Sequence, residues 1–156
     1  MSKSIERVAA AAAEAGLQIE IKRMGESTRT AEEAARQCGC EVDQIVKSLV
    51  FAGKGSGRLY LFLVPGSRKL DVEKAGKLAG EELERADPRK VREETGFAIG
   101  GVSPLGHPES VQRYADETLL KFERIWAAAG AHDAVFAAEP QALVTAARAQ
   151  LADIVS

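Results

Sequence analysis

Aromatic side chains are scarce in this 156-residue chain: one Trp, two Tyr and five Phe, 5% of the sequence. That argues against a stacking platform of the kind RNA-recognition sheets present. Cysteine is scarcer still. Cys38 and Cys40 are separated by one glycine, a spacing that fits neither a redox Cys-x-x-Cys nor a zinc pair. Only His107 and His132 are there to complete a ligand set, so no metal and no cofactor is expected. No apolar run approaches the ~20 residues a membrane helix needs. The opening Met1-Ser2-Lys3-Ser4-Ile5-Glu6-Arg7 leads into an alanine-rich stretch, not a signal-peptide core. A cytoplasmic location and no membrane partner are the expectation. No sign of charge dominates either: 21 Lys and Arg face 23 Asp and Glu, net −2, which excludes a polybasic protein. What is present, 46% hydrophobic and 28% charged residues, is the composition of a globular domain. The length fits one such domain, residues 1–156, with a core that needs no disulfide or metal staple.

Ile5, Val8, Ala12 and Ala15 fall at helical spacing, and Gly16 is placed to end that helix. Leu17, Ile19 and Ile21 alternate with polar residues, the period of a half-buried strand. Thr30 with Glu33 forms a capping-box pattern for a short helix that Gly39 closes. Ile45–Phe51 and Leu59–Val64 flank a glycine-rich connector and predict a hairpin. The connector lacks the Gly-Lys-Ser/Thr ending of a nucleotide loop. Asp87-Pro88 opens a helix that Gly96 closes, and Phe97–Ile99 reads as a short strand. Residues 122–129 and 134–138 read as strands. Glu139-Pro140 opens a last helix with Leu143, Val144, Ala147 and Leu151 on one face. Hairpins mixed with helices argue for an α+β fold with a mixed sheet.

Lys47 is the most anomalous residue, a cation in a strand apolar on both faces. A buried unpaired ammonium is costly; either the stem snorkels to a sheet edge or the lysine waits in a cleft for an anionic or carbonyl ligand. Gly100-Gly101-x-x-Pro104 is a second candidate, a loop whose amides a ligand can approach without meeting a Cβ. Ser103 and His107 suggest an esterase, but Gly101-Val102-Ser103-Pro104-Leu105 lacks the second glycine of a nucleophile elbow. Between residues 47 and 77 seven Lys and Arg face two acidic residues, a candidate footprint for a nucleic-acid backbone.

Gln44–Phe51, Leu70-Asp71, Ala86-Asp87-Pro88, Thr95–Gly106 and Ile125–Gly130 together resemble the YbaK/EbsC family, free-standing relatives of the editing domain inserted in bacterial prolyl-tRNA synthetases. The resemblance spans nearly the whole chain. It implies an α+β domain with a mixed, mostly antiparallel, barrel-like sheet surrounded by helices. It further implies an aminoacyl-tRNA deacylase that acts in trans, without metal, on the 3′ acceptor end of a tRNA carrying a small wrong amino acid such as Ala, Cys, Ser or Thr. Prolyl-tRNA synthetase is an implied partner. On this resemblance Lys47 holds the 3′-terminal adenosine or its phosphate, and the loop from Gly100 through Gly101 and Ser103 to Pro104 faces the aminoacyl carbonyl. Thr28 and Thr30 stand near the entrance. Met24 stands where Cys-tRNA(Pro) deacylases carry tyrosine, and Asp133 lies one position from their pocket aspartate, where Ala134 aligns. Both differences touch the amino-acid pocket and leave the amino acid removed open. The alternative readings are a non-catalytic tRNA- or synthetase-binding module on the same fold, and a Ser103-dependent esterase.

Overall fold

A computed structural model describes residues 3–156. Its centre is the strand β3 (Leu59–Pro65), in which every residue is buried. An unbroken apolar run with no polar alternation is what a strand covered on both faces requires. β2 (Val46–Gly53) pairs antiparallel with β3, Lys47 opposite Val64 and Phe51 opposite Tyr60, so the predicted hairpin forms. β4 (Leu83–Arg85) extends the sheet beyond β2, while β5 (Gln112–Asp116) and β8 (Gln150–Ala152) add parallel strands beyond β3. A second, antiparallel sheet orders β1 (Lys22–Arg23), β7 (Ala134–Ala138) and β6 (Ile125–Ala128). A single bridge between Ile45 and Trp126 ties the two sheets together. The α+β class and the mainly antiparallel pairing agree with the sequence.

Two cores result. The larger lies on the face of the main sheet that carries Val46, Val50, Leu61 and Leu63. It is closed by α1 (Lys3–Glu14), by α4 (Pro88–Thr95), by α5 (Pro140–Ala147) and by the second sheet. On the other face Tyr60, Phe62 and Tyr114 form an aromatic row beneath α3 (Val72–Ala79) and the C-terminal Ile154 and Val155. α2 (Ala31–Cys38) caps a third, smaller cluster around Ile45 and Trp126. The caps read from sequence form, although of the capping box at Thr30 and Glu33 only the Thr30 half is made. Thr30 accepts from Glu33 N–H, Asp87 accepts from Arg89 N–H, and Gly39 and Gly96 adopt left-handed φ at the helix ends.

Several expected elements differ. The alternation from Leu17 to Ile21 does not form a ladder; only Lys22 and Arg23 pair, with Val135 and Ala134. Leu17, Ile19 and Ile21 instead pack against the main core as an extended segment. Phe97–Ile99 is not a strand, because left-handed Gly96 turns the chain and Phe97 drops into the core while Ile99 stays 54% exposed. The strand expected from residue 122 begins at Ile125, after a 3₁₀ turn at Glu117–Lys121. Leu151 belongs to β8, since Arg148, at φ 56, ends α5 before it. Ala15 is exposed past the end of α1.

Gly130, in the turn between β6 and β7, has φ +100, and a Cβ there would meet the Ser4 carbonyl at 2.8 Å. The obstacle is helix backbone, which cannot rotate away. Gly130→Ala is therefore expected to cost ~3 kcal/mol from strain and overpacking, a fall of roughly 6–12 °C in Tm measurable by calorimetry.

Candidate functional site

Where the two sheets meet, the main sheet stops covering β2 and a cleft of about 410 Å³ opens. Its floor is the first half of β2, including Lys47 and Ser48; its walls are Trp126 and Ala127 of β6, the first turn of α2, and the loop at Gly100 and Val102. A cleft of that volume suits a small organic group with a few polar anchors.

Lys47 is half-buried in this floor. Its Nζ donates to the Arg68 carbonyl at 2.5 Å, which occupies one of the ammonium's three donors and leaves two for a ligand. Desolvation holds its pKa below the usual lysine range, with Glu32 and Asp43 opposing that shift and Lys69 adding to it. Beside it the Ser48 hydroxyl is buried and has no hydrogen-bond partner. Buried hydroxyls are almost always satisfied, which sets this one apart from the rest of the strand. Sequence reasoning passed over Ser48, although it is the one neutral polar residue in the run from Val46 to Phe51.

Gly100 lines the cleft at φ +97, and a Cβ there would stand 2.9 Å from the Arg29 side chain, which lines the same cleft. The left-handed backbone favours glycine there, while the exposed Arg29 side chain could move aside. Among the described residues the Gly100 N–H has no internal acceptor. Gly101 differs in kind. Its N–H donates to the Ala98 carbonyl at 2.9 Å, and the space of its missing Cβ is taken by Ala131 backbone at 3.2 Å. Gly101 therefore serves packing of the loop, where the sequence suggested access for a carbonyl.

Of the other residues singled out, Thr28 and Thr30 line the cleft, with their hydroxyls already engaged by the His132 carbonyl and the Glu33 amide. Met24 packs in the cluster beneath α2. Asp133 is bound by Arg23 at 2.8 Å, which holds its carboxyl below the usual range. Ser103 is fully buried inside the loop, accepting from Leu105 N–H, and Pro104 lines a different pocket. Lys47, Ser48, Thr28, Thr30 and Gly100 thus share one cavity, whereas Met24, Gly101, Ser103, Pro104 and Asp133 stand around it. The basic segment is divided as well: Arg68 and Lys69 stay near Lys47, while Lys54 and Lys77 lie at the opposite end of the hairpin. Among the described residues no helix is long and apolar enough to cross a membrane, and no three His, Cys, Asp or Glu are grouped to hold a metal ion.

The sequence pattern of a family described as an aminoacyl-tRNA editing domain matches residues 25–146. A candidate Cys-tRNA(Pro)/Cys-tRNA(Cys) deacylase of Enterococcus faecalis, EbsC, is 29% identical over 126 residues, 80% of this chain and 76% of that protein. A proline–tRNA ligase of Thermosipho melanesiensis is 41% identical over 81 residues, 51% of this chain but only 14% of the ligase. A crystal structure of a candidate trans-editing enzyme for prolyl-tRNA synthetase superposes with a TM-score of 0.91 at 47% identity, over 100% of this chain and 99% of that one.

The loop that carries Gly100 is pinned at its far end by His107, whose Nε2–H donates to the Ser103 carbonyl at 2.6 Å. Burial, with Arg113 and Arg7 nearby, lowers the His107 pKa to about 4. Between pH 6.5 and 4 the unfolded chain takes up a proton that the folded loop refuses, so stability falls as pH drops through that window. Urea titrations at pH 7 and 4.5 should show the parent losing about 2 kcal/mol more than His107→Gln, which has no proton to gain.

Proposed function

The chain belongs to the aminoacyl-tRNA editing domain family, and from that premise we propose that it is a deacylase that hydrolyses the ester of a tRNA carrying a small wrong amino acid. The similarity to a proline–tRNA ligase supports tRNA(Pro) as the RNA and prolyl-tRNA synthetase as the enzyme whose errors it removes. The observation that carries the reading is the single cleft lined by Lys47, by Ser48 with its unpartnered hydroxyl, and by Gly100, whose amide has no acceptor among the described residues.

In this reading the two unused N–H groups of Lys47 hold the phosphate or ribose of the 3′-terminal adenosine. The aminoacyl carbonyl then faces the loop. Water attacks its carbon, a C–OH bond forms, and the ester C–O bond to the ribose breaks, with a proton passing from the water to the leaving ribose oxygen. Negative charge develops on the carbonyl oxygen in between. In this reading the Gly100 N–H and the Ser48 O–H donate to it, in a site partly shielded from water where such donors act strongly. Arg29 and Lys69 add positive charge near the entrance for the approaching RNA backbone.

Lys47→Ala and Ser48→Ala are each expected to slow deacylation by roughly 30- to 1,000-fold, the effect of about 2–4 kcal/mol of lost transition-state stabilisation. Release of labelled amino acid from a panel of mischarged tRNAs, with Tm followed in parallel, checks this. A protein that binds these tRNAs but releases nothing from any of them is the non-catalytic module instead.

A further inference from the structure

A second pocket, of about 400 Å³, lies at the other end of the same loop, between α1, the start of β5 and the end of α5. It shares no lining residue with the cleft. Arg7, His107, Arg113 and Arg148 line it. Three of its polar atoms are buried and unpartnered: Arg7 Nε, Arg113 Nε and His107 Nδ1. The rest of the pocket explains how they are held there. The Arg7 guanidinium lies 4.4 Å over the Phe97 ring and donates to the Thr95 carbonyl, so its plane is fixed. Phe97 in turn packs against the His107 ring, centroids 5.2 Å apart. Gly106, at φ +87, packs beside Arg7 and Phe97; a Cβ there would stand 3.6 Å from Arg7 Nε and 3.5 Å from the Phe97 ring, at ordinary contact distance. The Arg113 guanidinium has no acceptor or ion pair among the described residues. Two acidic residues line the pocket, Glu14 and Glu109; Glu109 pairs with Arg148 at 3.3 Å on the exposed rim and also acts electrostatically on Arg113.

We propose that this pocket is a second ligand site of the protein, for a phosphate group that brings a hydroxyl hydrogen with it. Two guanidinium Nε–H donors without acceptors call for an anion with several oxygens, and phosphate is the oxyanion that arginine recognises most readily. The histidine fixes the rest of the ligand. A carbonyl oxygen only accepts, so the neutral ring carries its hydrogen on Nε2 toward Ser103, and Nδ1 is left as a buried acceptor. An acceptor beside two anion donors fits hydrogen phosphate, and equally an RNA backbone phosphate with the neighbouring ribose 2′-hydroxyl. A bare oxyanion without a hydroxyl leaves Nδ1 unsatisfied. None of these residues takes part in the deacylation scheme above, so this site stands or falls apart from it.

The chain has two histidines, and His132 is exposed, which makes ring NMR a direct probe with an internal control. Titration with sodium phosphate at pH 7 should move the His107 ring signals saturably and leave those of His132 in place. Sodium sulfate at matched ionic strength should be bound at least about tenfold more weakly, because it offers Nδ1 no donor. Uncharged tRNA is the second arm. Movement of His107 with tRNA but not with phosphate identifies an RNA-backbone subsite; movement with phosphate at a concentration where tRNA has no effect identifies a small-molecule site. Arg113→Gln and Arg7→Gln, each checked for an unchanged Tm, should abolish the shift in whichever arm shows it. Silence of His107 in both arms overturns the proposal. Sulfate binding as well as phosphate overturns the hydroxyl requirement and with it the assigned ligand class.

Discussion

β3 is the constraint on which the rest depends. A strand with Leu59, Tyr60, Leu61, Phe62, Leu63 and Val64 all buried has no solvent face, so both sides must be covered and both edges paired. Covering the two faces produces two cores, the larger under α1, α4 and α5 and the aromatic one under α3. Pairing the edges places β2 on one side and β5 on the other. Register then follows from the pleat, because slipping β2 by one residue would move Val46 and Val50 out of the main core. That same register puts Lys47 opposite Val64, and Ser48 on the face that meets the second sheet. The position of the catalytic candidates is therefore a consequence of the most hydrophobic segment in the chain.

Among the described residues the two sheets join at one bridge, and both of its residues line the cleft. Ile45 contacts Trp126 through a single bridge, and neither sheet extends to close the gap beyond it. A continuous ladder there would have filled the cavity with backbone and paired every donor. Leaving it open exposes the end of β2 to a ligand while Ile45, Val135 and the alanines of α2 keep the joint packed from behind. The unsatisfied Ser48 hydroxyl sits at this interruption. Such a group is a local defect in an otherwise well-packed strand.

Legibility from the sequence followed the strength of local signals. The hairpin around Gly53–Gly57 was readable because two β-rich runs flank glycines; the helices at Thr30 and Asp87 were readable because their capping residues act within three positions. α3 was missed although Val72, Ala75, Leu78 and Ala79 fall at helical spacing between the caps Asp71 and Gly80. The segment is short, Gly76 interrupts it and only Ala75 is buried. β5 and β8 were hidden because they are short and pair in parallel with partners far along the chain, which no local pattern records. Lys47 stood out by being charged in an apolar strand, and Gly100 by its neighbour. Ser48 did not, because a serine in a strand is ordinary until its environment is known. Gly101 shows the opposite failure: the sequence offers two adjacent glycines, and only the Ala131 backbone behind one of them tells their duties apart.

The loop between α4 and β5 has no regular structure, yet amides that stabilise an oxyanion must not move when charge develops. Its rigidity therefore has to come from elsewhere, and the contacts that supply it are spread along its length. Phe97 is buried and its N–H is held by the Thr95 hydroxyl; Gly101 N–H closes a turn on Ala98; Leu105 N–H closes another on Ser103. His107 ties the last part to the Ser103 carbonyl. Each of these groups lies outside the cleft, and together they leave Ile99, Gly100 and Val102 as the cleft-lining members of the loop whose amides have no acceptor among the described residues. Ser103 and His107, which in sequence suggest a nucleophile and its base, are in the structure the fasteners of this loop. The cleft and the second pocket thus lie at two ends of one pinned segment, with the glycine end at the cleft and the histidine end at the arginines.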